Sequence, residues 1–317
     1  MDIVVLDGFT LNPGDLSWDE FESLGNVKVY FRTSPEELME RAKDADVLIT
    51  NKTVINADAI NSLPKLKYIG VLATGYNVVD TKAAGKKGVT VTNIPAYSTM
   101  SVAQHVFALL LAVTNRVEYY ALETRKERWS KARDFCYWDT PLVELAGHSF
   151  GIIGFGNIGS TVARIALDFG MKVIAFTSKA SELLPDGVRK VTMQDLIKES
   201  DIISLHCPLN EHTEHMINAK TIAKMKDGVI IINTGRGPLV NEKDVAEALT
   251  NGKIGAFCAD VLSTEPPSTD NPLLKTPNTF ITPHIAWATK NARQRLMSIA
   301  YTNLKSFIDG SPQNVVS

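Results

Sequence analysis

Short apolar, β-branched runs alternate with helical patterns along most of this 317-residue chain, and they fall into two successive series. The strand candidates of the first series are residues 3–6, 27–31, 47–50, 68–72 and 89–92. Those of the second series are residues 150–154, 173–176, 202–206, 229–233, 256–261 and 280–282. Because strands that alternate with helices are joined by right-handed crossovers, each series predicts a doubly wound parallel sheet.

The two series predict two α/β domains, each built on a doubly wound parallel sheet. Residues 101–114 are almost continuously apolar, which is typical of a helix buried on most of its surface. Residues 288–308 read as a long amphipathic helix that returns the chain to the first domain. We therefore expect one domain from residues 1–98 plus 288–317, another from 99–287, and a ligand-binding cleft between them.

Charge and cysteine content exclude several classes of function. The 33 Lys and Arg residues nearly balance the 35 Asp and Glu residues, so no basic field favours nucleic acid or an anionic membrane surface as partner. The start of the chain lacks the basic flank and long apolar run of a signal peptide, and the longest apolar run, 106–113, is too short to span a bilayer. Three widely spaced cysteines suit reduced thiols, so we expect a soluble cytoplasmic protein.

A glycine-rich turn follows the first strand of the second series and precedes a helical pattern. This context gives the G-x-G-x-x-G spacing its meaning: the first glycine allows a tight turn, the second lets backbone approach a pyrophosphate, and the third lets helix and strand pack closely. The helix N-terminus then offers N–H groups to the phosphates. The sequence predicts dinucleotide binding by Gly154, Gly156, Asn157, Ile158 and Gly159.

The choice between NAD and NADP stays open. An acid that binds the ribose 2′-hydroxyl is expected about 20 residues further on, at the end of the next strand. Thr177, Ser178 and Lys179 stand there instead. These side chains can bind a 2′-phosphate that a carboxylate would repel, which permits NADP. Alternatively, they form a solvated loop, and NAD binds without the usual acid.

Three reactive side chains each follow a strand of the second series. Arg236, Glu265 and His284 lie at or after strand ends, where open α/β sheets bind ligands, so they could meet in one crevice. A guanidinium can hold a carboxylate with two hydrogen bonds. An imidazole can exchange a proton with a reacting oxygen, and a carboxylate can orient that imidazole.

Four motifs in this order, GFGNIG, NTGRG, DVLSTEPP and TPHIAWAT, resemble the D-isomer-specific 2-hydroxyacid dehydrogenase family over essentially the whole chain. The variants LATGYNVVD and PHIAWAT most resemble its glycerate dehydrogenase, or hydroxypyruvate reductase, branch. The resemblance implies reduction of hydroxypyruvate or glyoxylate by NADH or NADPH to D-glycerate or glycolate. It also implies that residues 1–98 plus 288–317 form a flavodoxin-like substrate-binding domain and that residues 99–287 form a Rossmann dinucleotide-binding domain. Arg236, Glu265 and His284 are then the catalytic residues.

The resemblance implies further contacts. For the substrate they are Lys52, Thr74 and Gly75, and for the cofactor they are Cys207, Pro208, Thr213, Thr234 and Asp260. Asp260 matches a position near the nicotinamide carboxamide, although an acid at a strand end can equally be a cap or turn residue. His206, Cys207, His212 and His215 lack the paired spacing of zinc ligands, so no metal is expected.

The charged and aromatic segment 125–145 is too irregular for a core element and suggests a partner surface. In the family this region helps form a two-fold homodimer, and Trp138 is the candidate aromatic that reaches the neighbouring subunit's site. The alternative is that these aromatic side chains only cover the subunit's own core.

Two other functions stay open. One is another D-2-hydroxyacid dehydrogenase, such as a phosphoglycerate dehydrogenase, although no cationic cluster for a substrate phosphate stands out. The other is a non-catalytic, dinucleotide-sensing binding protein like the family's corepressor branch, which keeps the same three residues. Turnover of a 2-oxo acid distinguishes an enzyme from such a sensor.

Overall fold

Each series of strands forms its own parallel sheet in a computed structural model that describes residues 1–317. The chain divides into two compact units, one of Met1–Ser98 with Ala288–Ser317 and one of Thr99–Trp287. The two sheets, with helices between successive strands, confirm the predicted fold class of two doubly wound α/β units.

The first unit contains a five-stranded sheet in the order β2-β1-β3-β4-β5. Its strands are β1 (Asp2–Val5), β2 (Asn26–Val29), β3 (Val47–Thr50), β4 (Tyr68–Val71) and β5 (Thr90–Thr92). Its helices before the second unit are α1 (Asp19–Glu22), α2 (Pro35–Ala42), α3 (Ala57–Ser62) and α4 (Thr81–Lys87). Every residue of β3 and β4 is buried, as expected for parallel strands that helices cover on both faces.

The second unit contains a seven-stranded sheet in the order β12-β11-β10-β9-β6-β7-β8. Its strands are β6 (Ser149–Ile153), β7 (Lys172–Phe176), β8 (Val188–Lys190), β9 (Ile202–Leu205), β10 (Val229–Asn233), β11 (Ile254–Ala259) and β12 (Thr279–Ile281). Its helices are α5 (Thr99–Thr114), α6 (Val117–Arg125), α7 (Asn157–Asp168), α8 (Met193–Glu199), α9 (Ala219–Ile222) and α10 (Glu242–Thr250). The chain then returns to the first unit as α11 (Lys290–Ile308).

Strand β8 was not among the strand candidates. It is a three-residue edge strand of sequence VRK, paired only with β7, and only its valine is even partly buried. An edge strand of this kind carries too few apolar residues to produce a pattern. Elsewhere the predicted strand ends differ by one or two residues. Strand β6, for example, ends at Ile153 because Gly154 adopts a positive φ of 94° and leaves the sheet.

Helix α5 is the predicted buried helix, and it begins at residue 99, two residues before the predicted start. Its apolar side chains, among them Val106 and Leu110, pack with Phe150 and Ile152 of β6 in one hydrophobic core. No single helix is long and apolar enough to cross a membrane; α5 and α6 meet that criterion only as a pair, which is bent by 57°.

The start of α11 is anchored to the first unit by Arg293. This arginine is buried, and its guanidinium donates to both carboxylate oxygens of Asp15 at 2.7 Å and to the carbonyl of Leu11 at 2.9 Å. The hydrogen bonds from Arg293 hold the pKa of the Asp15 carboxyl below its ordinary value. A bidentate ion pair therefore joins the last helix to a loop near the start of the chain.

Candidate active site

The turn after β6 touches the loop after β9. These two neighbouring strands mark the point where the chain reverses its direction across the sheet, and such switch points bind ligands in open α/β folds. A Cβ atom on Gly154 would lie 2.6 Å from both the nitrogen of Cys207 and the carbonyl carbon of His206. Only glycine allows these two loops to approach so closely.

The other two glycines of the turn differ in what surrounds them. A Cβ atom on Gly159 would overlap the carbonyl oxygen of Gly154, so this glycine is needed for α7 to pack against the turn. A Cβ atom on Gly156 would meet no atom within 4 Å. The protein's own packing thus explains Gly154 and Gly159 but not Gly156, whose surroundings leave room for a ligand.

Helix α7 begins at this open position. Gly156 is its N-cap and supplies no side-chain hydrogen bond, so the first N–H groups of the helix, at Asn157 and Ile158, have no side-chain acceptor. Together with the open space at Gly156, these groups fit the pyrophosphate of a dinucleotide.

The segment after β7 lies where the ribose end of such a dinucleotide is expected. Thr177 accepts a hydrogen bond from the backbone N–H of Lys179 at 3.1 Å, and Ser178 is exposed. The ammonium of Lys179 lies 5.8 Å from the ring centroid of Phe155, so it extends back toward the glycine-rich turn. The segment therefore presents a cation near the turn and carries no carboxylate of its own.

The loop after β9 is braced internally. Thr213 donates to the carbonyl of Pro208 at 2.7 Å and accepts from the N–H of Asn210 at 2.8 Å. Burial lowers the pKa of His206 to about 4 and raises the pKa of the Cys207 thiol, so both are neutral at pH 7. No His, Cys, Asp or Glu side chains in the chain form a group of three that could hold a metal ion.

Arg236 lies in a loop that Asn233, the buried last residue of β10, organises. The Asn233 side chain donates to the carbonyl of Arg236 at 2.9 Å and accepts from the N–H of Gly235 at 3.1 Å. The Arg236 guanidinium is exposed, donates to the carbonyl of Gly235, and pairs with no carboxylate of the chain. Beside it, the Thr234 hydroxyl is buried without a hydrogen-bond partner. Both side chains thus retain unused hydrogen-bonding capacity.

Glu265 and His284 form a direct pair. The Nδ1 atom of His284 lies 2.6 Å from Oε2 of Glu265, and the other Glu265 oxygen accepts from the N–H of Leu262 at 3.2 Å. Because an ionised carboxylate only accepts hydrogen bonds, the Nδ1 proton of the neutral ring points to Glu265. Nε2 is then the ring atom able to give or take a proton. The two side chains are 33% and 37% exposed, so a small molecule can reach them.

The loops that carry Arg236 and Glu265 touch each other at Gly237. A Cβ atom there would overlap the backbone of Leu262, the residue whose N–H holds Glu265. The Arg236 loop therefore contacts the segment that leads to Glu265, and Glu265 in turn is hydrogen-bonded to His284.

Asp260 holds the loop that carries His284. Its carboxylate is 1% exposed and accepts three hydrogen bonds, from the hydroxyl of Thr282 at 2.6 Å and from the N–H groups of Ile285 and Ala286 at 2.8 Å each. His284 has a φ of +55°, which non-glycine residues rarely adopt. Asp260 therefore forms the bonds of a turn residue, and its contact with a cofactor stays a prediction.

In the first unit, the predicted substrate residues follow β3 and β4, whose carboxyl ends lie side by side. Lys52 is exposed, and the carboxylate of Asp7 accepts from the N–H groups of Lys52 and its two neighbours at 2.5 to 2.8 Å. The Thr74 hydroxyl donates to the carbonyl of Ile94 at 2.7 Å, just before Gly75. Both loops are thus held in place by hydrogen bonds within this unit.

Sequence reasoning missed Asp7, Asn233 and Thr282, which position these loops. Each lies at or within two residues of a strand end, the same signal that identified Arg236 and His284. Asp7 and Thr282 bond to groups far away in the sequence, which no local pattern reveals. Asn233 bonds within its own loop.

The segment after α6 exposes its aromatic side chains. Phe135 is 88% exposed and Trp138 is 66% exposed, so they do not cover the core of their own unit. The segment itself is held together by Arg128, which pairs with both carboxylate oxygens of Asp139 at 2.6 and 2.7 Å and lies 4.3 Å from the ring centroid of Tyr137.

Comparisons with known proteins bear on this site. The model of the D-isomer specific 2-hydroxyacid dehydrogenase NAD binding domain matches residues 107–286. The chain is 49% identical to a hydroxypyruvate reductase of Blautia hydrogenotrophica, covering 100% of both chains. It is 41% identical to a glycerate dehydrogenase of Methylorubrum extorquens, covering 99% of this chain and 98% of that one. A solved acyclic imino acid reductase in complex with NADPH and D-Arg is 32% identical with a TM-score of 0.86, covering 100% of both chains.

The contrast between two glycines yields a prediction. Gly156→Ala has room for its methyl group in the protein, so its melting temperature should stay within about 2 °C of wild type. Its affinity for the dinucleotide should fall at least about tenfold, because the methyl group occupies the space of the pyrophosphate. Calorimetric titration and thermal unfolding measure the two effects.

Gly159→Ala is the matched control, because its methyl group overlaps the protein itself. It should lower both the melting temperature and the affinity. Unchanged dinucleotide affinity in Gly156→Ala would contradict the assignment of this turn.

Proposed function

Since this chain belongs to the D-isomer-specific 2-hydroxyacid dehydrogenase family, as its motifs predicted, we propose that it reduces hydroxypyruvate to D-glycerate and glyoxylate to glycolate. The reductant is a nicotinamide dinucleotide. The observation that carries the chemistry is the 2.6 Å hydrogen bond between Glu265 and His284. The full-length similarity to a hydroxypyruvate reductase and a glycerate dehydrogenase supports the choice of substrate.

The residues present fit a dinucleotide. Gly156, the first N–H groups of α7 and the unpartnered hydroxyl of Thr234 offer the space and donors that its pyrophosphate and nicotinamide ribose require. The adjacent loop after β9 contains Cys207, Pro208 and Thr213. When bound, the nicotinamide supplies or accepts the hydride.

The chain's own side chains bind and orient the acid and move its proton. Arg236 holds the substrate carboxylate with two parallel hydrogen bonds, for which its unpaired guanidinium is available. In the reducing direction, Nε2 of the protonated His284 ring donates a proton to the oxygen on C2; in the oxidising direction the neutral ring accepts it. Glu265 fixes the ring through Nδ1 and stabilises the imidazolium. Lys52, Thr74 and Gly75 add contacts to the substrate.

We place this chemistry in the cytoplasm, without a nucleic-acid or membrane partner. All three cysteines are free, which suits a reducing compartment, and a net charge of −2 offers little attraction to anionic polymers or lipid surfaces.

A steady-state comparison tests the function. NADH and NADPH oxidation should be followed with hydroxypyruvate, glyoxylate, pyruvate and phosphohydroxypyruvate, and kcat/KM should be highest for hydroxypyruvate. Dinucleotide binding without turnover of any of these acids would instead identify a sensor.

Arg236→Lys should lower kcat/KM for hydroxypyruvate on the order of 100-fold, because an ammonium cannot hold the planar carboxylate with two parallel hydrogen bonds. Dinucleotide affinity should not change. Arg189→Lys, an exposed arginine on the edge strand β8, is the control and should behave as wild type. A near-normal kcat/KM in Arg236→Lys would remove the carboxylate clamp from the mechanism.

For the cofactor, we propose that the site accepts NADPH and that Lys179 binds the 2′-phosphate. Lys179→Ala should then raise the KM for NADPH about tenfold and leave the KM for NADH within twofold, since only NADPH carries the 2′-phosphate. Lys172→Ala, at the opposite end of β7, is the control. Equal effects on the two dinucleotides would assign Lys179 another role.

We also propose that the enzyme is a homodimer in which the aromatic segment after α6 packs against a second copy of the chain. Trp138 then reaches the substrate site of that copy. Trp138→Ala should weaken the dimer in sedimentation experiments at micromolar concentration and change the ratio of kcat/KM for hydroxypyruvate and glyoxylate. Phe31→Ala removes a similarly exposed ring from the first unit and should change neither the dimer nor the substrate preference. The role of Trp138 is refuted if assembly and substrate preference both stay as in wild type.

A further inference from the structure

We propose that His105, in the buried helix α5, is a positioning residue for His284, a role that rests on the function proposed above for His284. It acts through the hydroxyl of Thr282 and the carboxylate of Asp260. His105 itself is remote from the loops that carry Arg236 and Glu265 in sequence, and no motif singles it out.

The three side chains form a short hydrogen-bonded chain. His105 Nε2 lies 2.9 Å from the Thr282 hydroxyl oxygen, which lies 2.6 Å from Oδ1 of Asp260. His105 Nε2 is also 3.6 Å from the same carboxylate oxygen. The His105 side chain is 18% exposed and the Asp260 side chain is 1% exposed, so water weakens these hydrogen bonds little.

The chemistry of the three groups decides which of them donates in each hydrogen bond. Three donors converge on Asp260, which is the arrangement of an ionised carboxylate, and such a group only accepts. The single hydroxyl proton of Thr282 therefore points to Asp260, and its oxygen accepts from His105. This requires that His105 carry a proton on Nε2.

Donation by His105 also selects between two acceptors for Thr282. The hydroxyl oxygen lies 3.4 Å from the carbonyl of Ala259, compared with 2.6 Å from Asp260. With its oxygen held by His105, the hydroxyl keeps its proton on the carboxylate. Thr282 is then fixed from both sides, by helix α5 and by the end of β11.

The bonds to Asp260 lie on both sides of His284. Thr282 precedes the histidine by two residues, and Ile285 and Ala286 follow it. Together they hold the backbone of His284 at its φ of +55°, from which the ring meets Glu265 at 2.6 Å. If the Thr282 side loosens, the ring is free to turn away from Glu265, and proton transfer slows.

A purely structural histidine is the competing explanation. Burying an imidazole in an apolar helix is costly unless its two ring nitrogens are hydrogen-bonded, and the Thr282 hydroxyl satisfies one of them. In that case its replacement changes the stability of the protein but leaves the His284 ring in place. The two explanations differ in what happens to His284.

The experiment uses four variants of the full-length chain. His105→Met keeps the volume and removes the donor, and Thr282→Val keeps the shape and removes the hydroxyl. His105→Gln restores a donor in nearly the same position. The fourth is the double variant of the first two. Each is measured by kcat with hydroxypyruvate, by the KM values for hydroxypyruvate and the dinucleotide, by thermal unfolding, and by ¹H–¹⁵N NMR of the histidine rings without substrate.

We expect His105→Met and Thr282→Val each to lower kcat about tenfold, with the KM for the dinucleotide within twofold of wild type. The kcat of the double variant should be no lower than that of the less active single variant, because both changes break the same series of hydrogen bonds. In His105→Gln, kcat should be within about threefold of the wild-type value. NMR should place the wild-type His105 proton on Nε2 and show a displaced His284 Nδ1 proton signal in both single variants.

Unchanged His284 signals together with kcat within twofold of wild type in Thr282→Val would overturn the proposal, as would additive losses in the double variant. If His105→Met does not fold, Thr282→Val and His105→Gln decide between the two explanations. The NMR measurements need no turnover. A wild-type chain that reduces no 2-oxo acid would therefore refute the proposed function, whereas the ring signals would still test the link between His105 and His284.

Discussion

In each unit, a carboxylate at a strand end binds the backbone of a neighbouring loop and so holds a predicted site residue, Lys52 in the first unit and His284 in the second. Asp7 follows β1 and holds the loop of Lys52, which follows the neighbouring strand β3. Asp260 follows β11 and holds the loop of His284, which follows the neighbouring strand β12. In a parallel sheet, paired strands deliver their loops to one edge, so a short acidic side chain reaches consecutive N–H groups. These charge-assisted bonds fix the loops more firmly than bonds between neutral groups do.

Close contact between loops is the second constraint, and glycine meets it. Gly154 lets the turn after β6 touch the loop after β9, and Gly237 lets the Arg236 loop touch the segment before Glu265. A side chain at either position would push apart the loops that the site requires to be adjacent. Gly156 is different, because no protein atom approaches it. The fold therefore requires Gly154 and Gly237 but not Gly156, for which we propose a role in binding the dinucleotide.

The sequence predicts those features of this fold that burial on two faces imposes. Strands such as β3 and β10 are apolar on both faces, so their runs are visible without any knowledge of their partners. Strand β8 has one partner and a polar sequence, and it was missed. For the site, a strand end followed by a reactive side chain predicts where Arg236 and His284 lie. It does not reveal His105, whose partner Thr282 is 177 positions away and whose helix is apolar with or without it.

Two arginines show why a side chain's partners matter more than its type. Arg293 is buried, and its guanidinium is fully engaged by Asp15 and by backbone carbonyls, so it serves the joining of α11 to its unit. Arg236 is exposed and meets no carboxylate of its own chain, while Asn233 fixes the backbone beneath it. A rigid loop that presents an unpaired planar cation has no stabilising role within the chain. The guanidinium is therefore available to an external anion, and in the function that we propose this anion is the planar carboxylate of a 2-oxo acid.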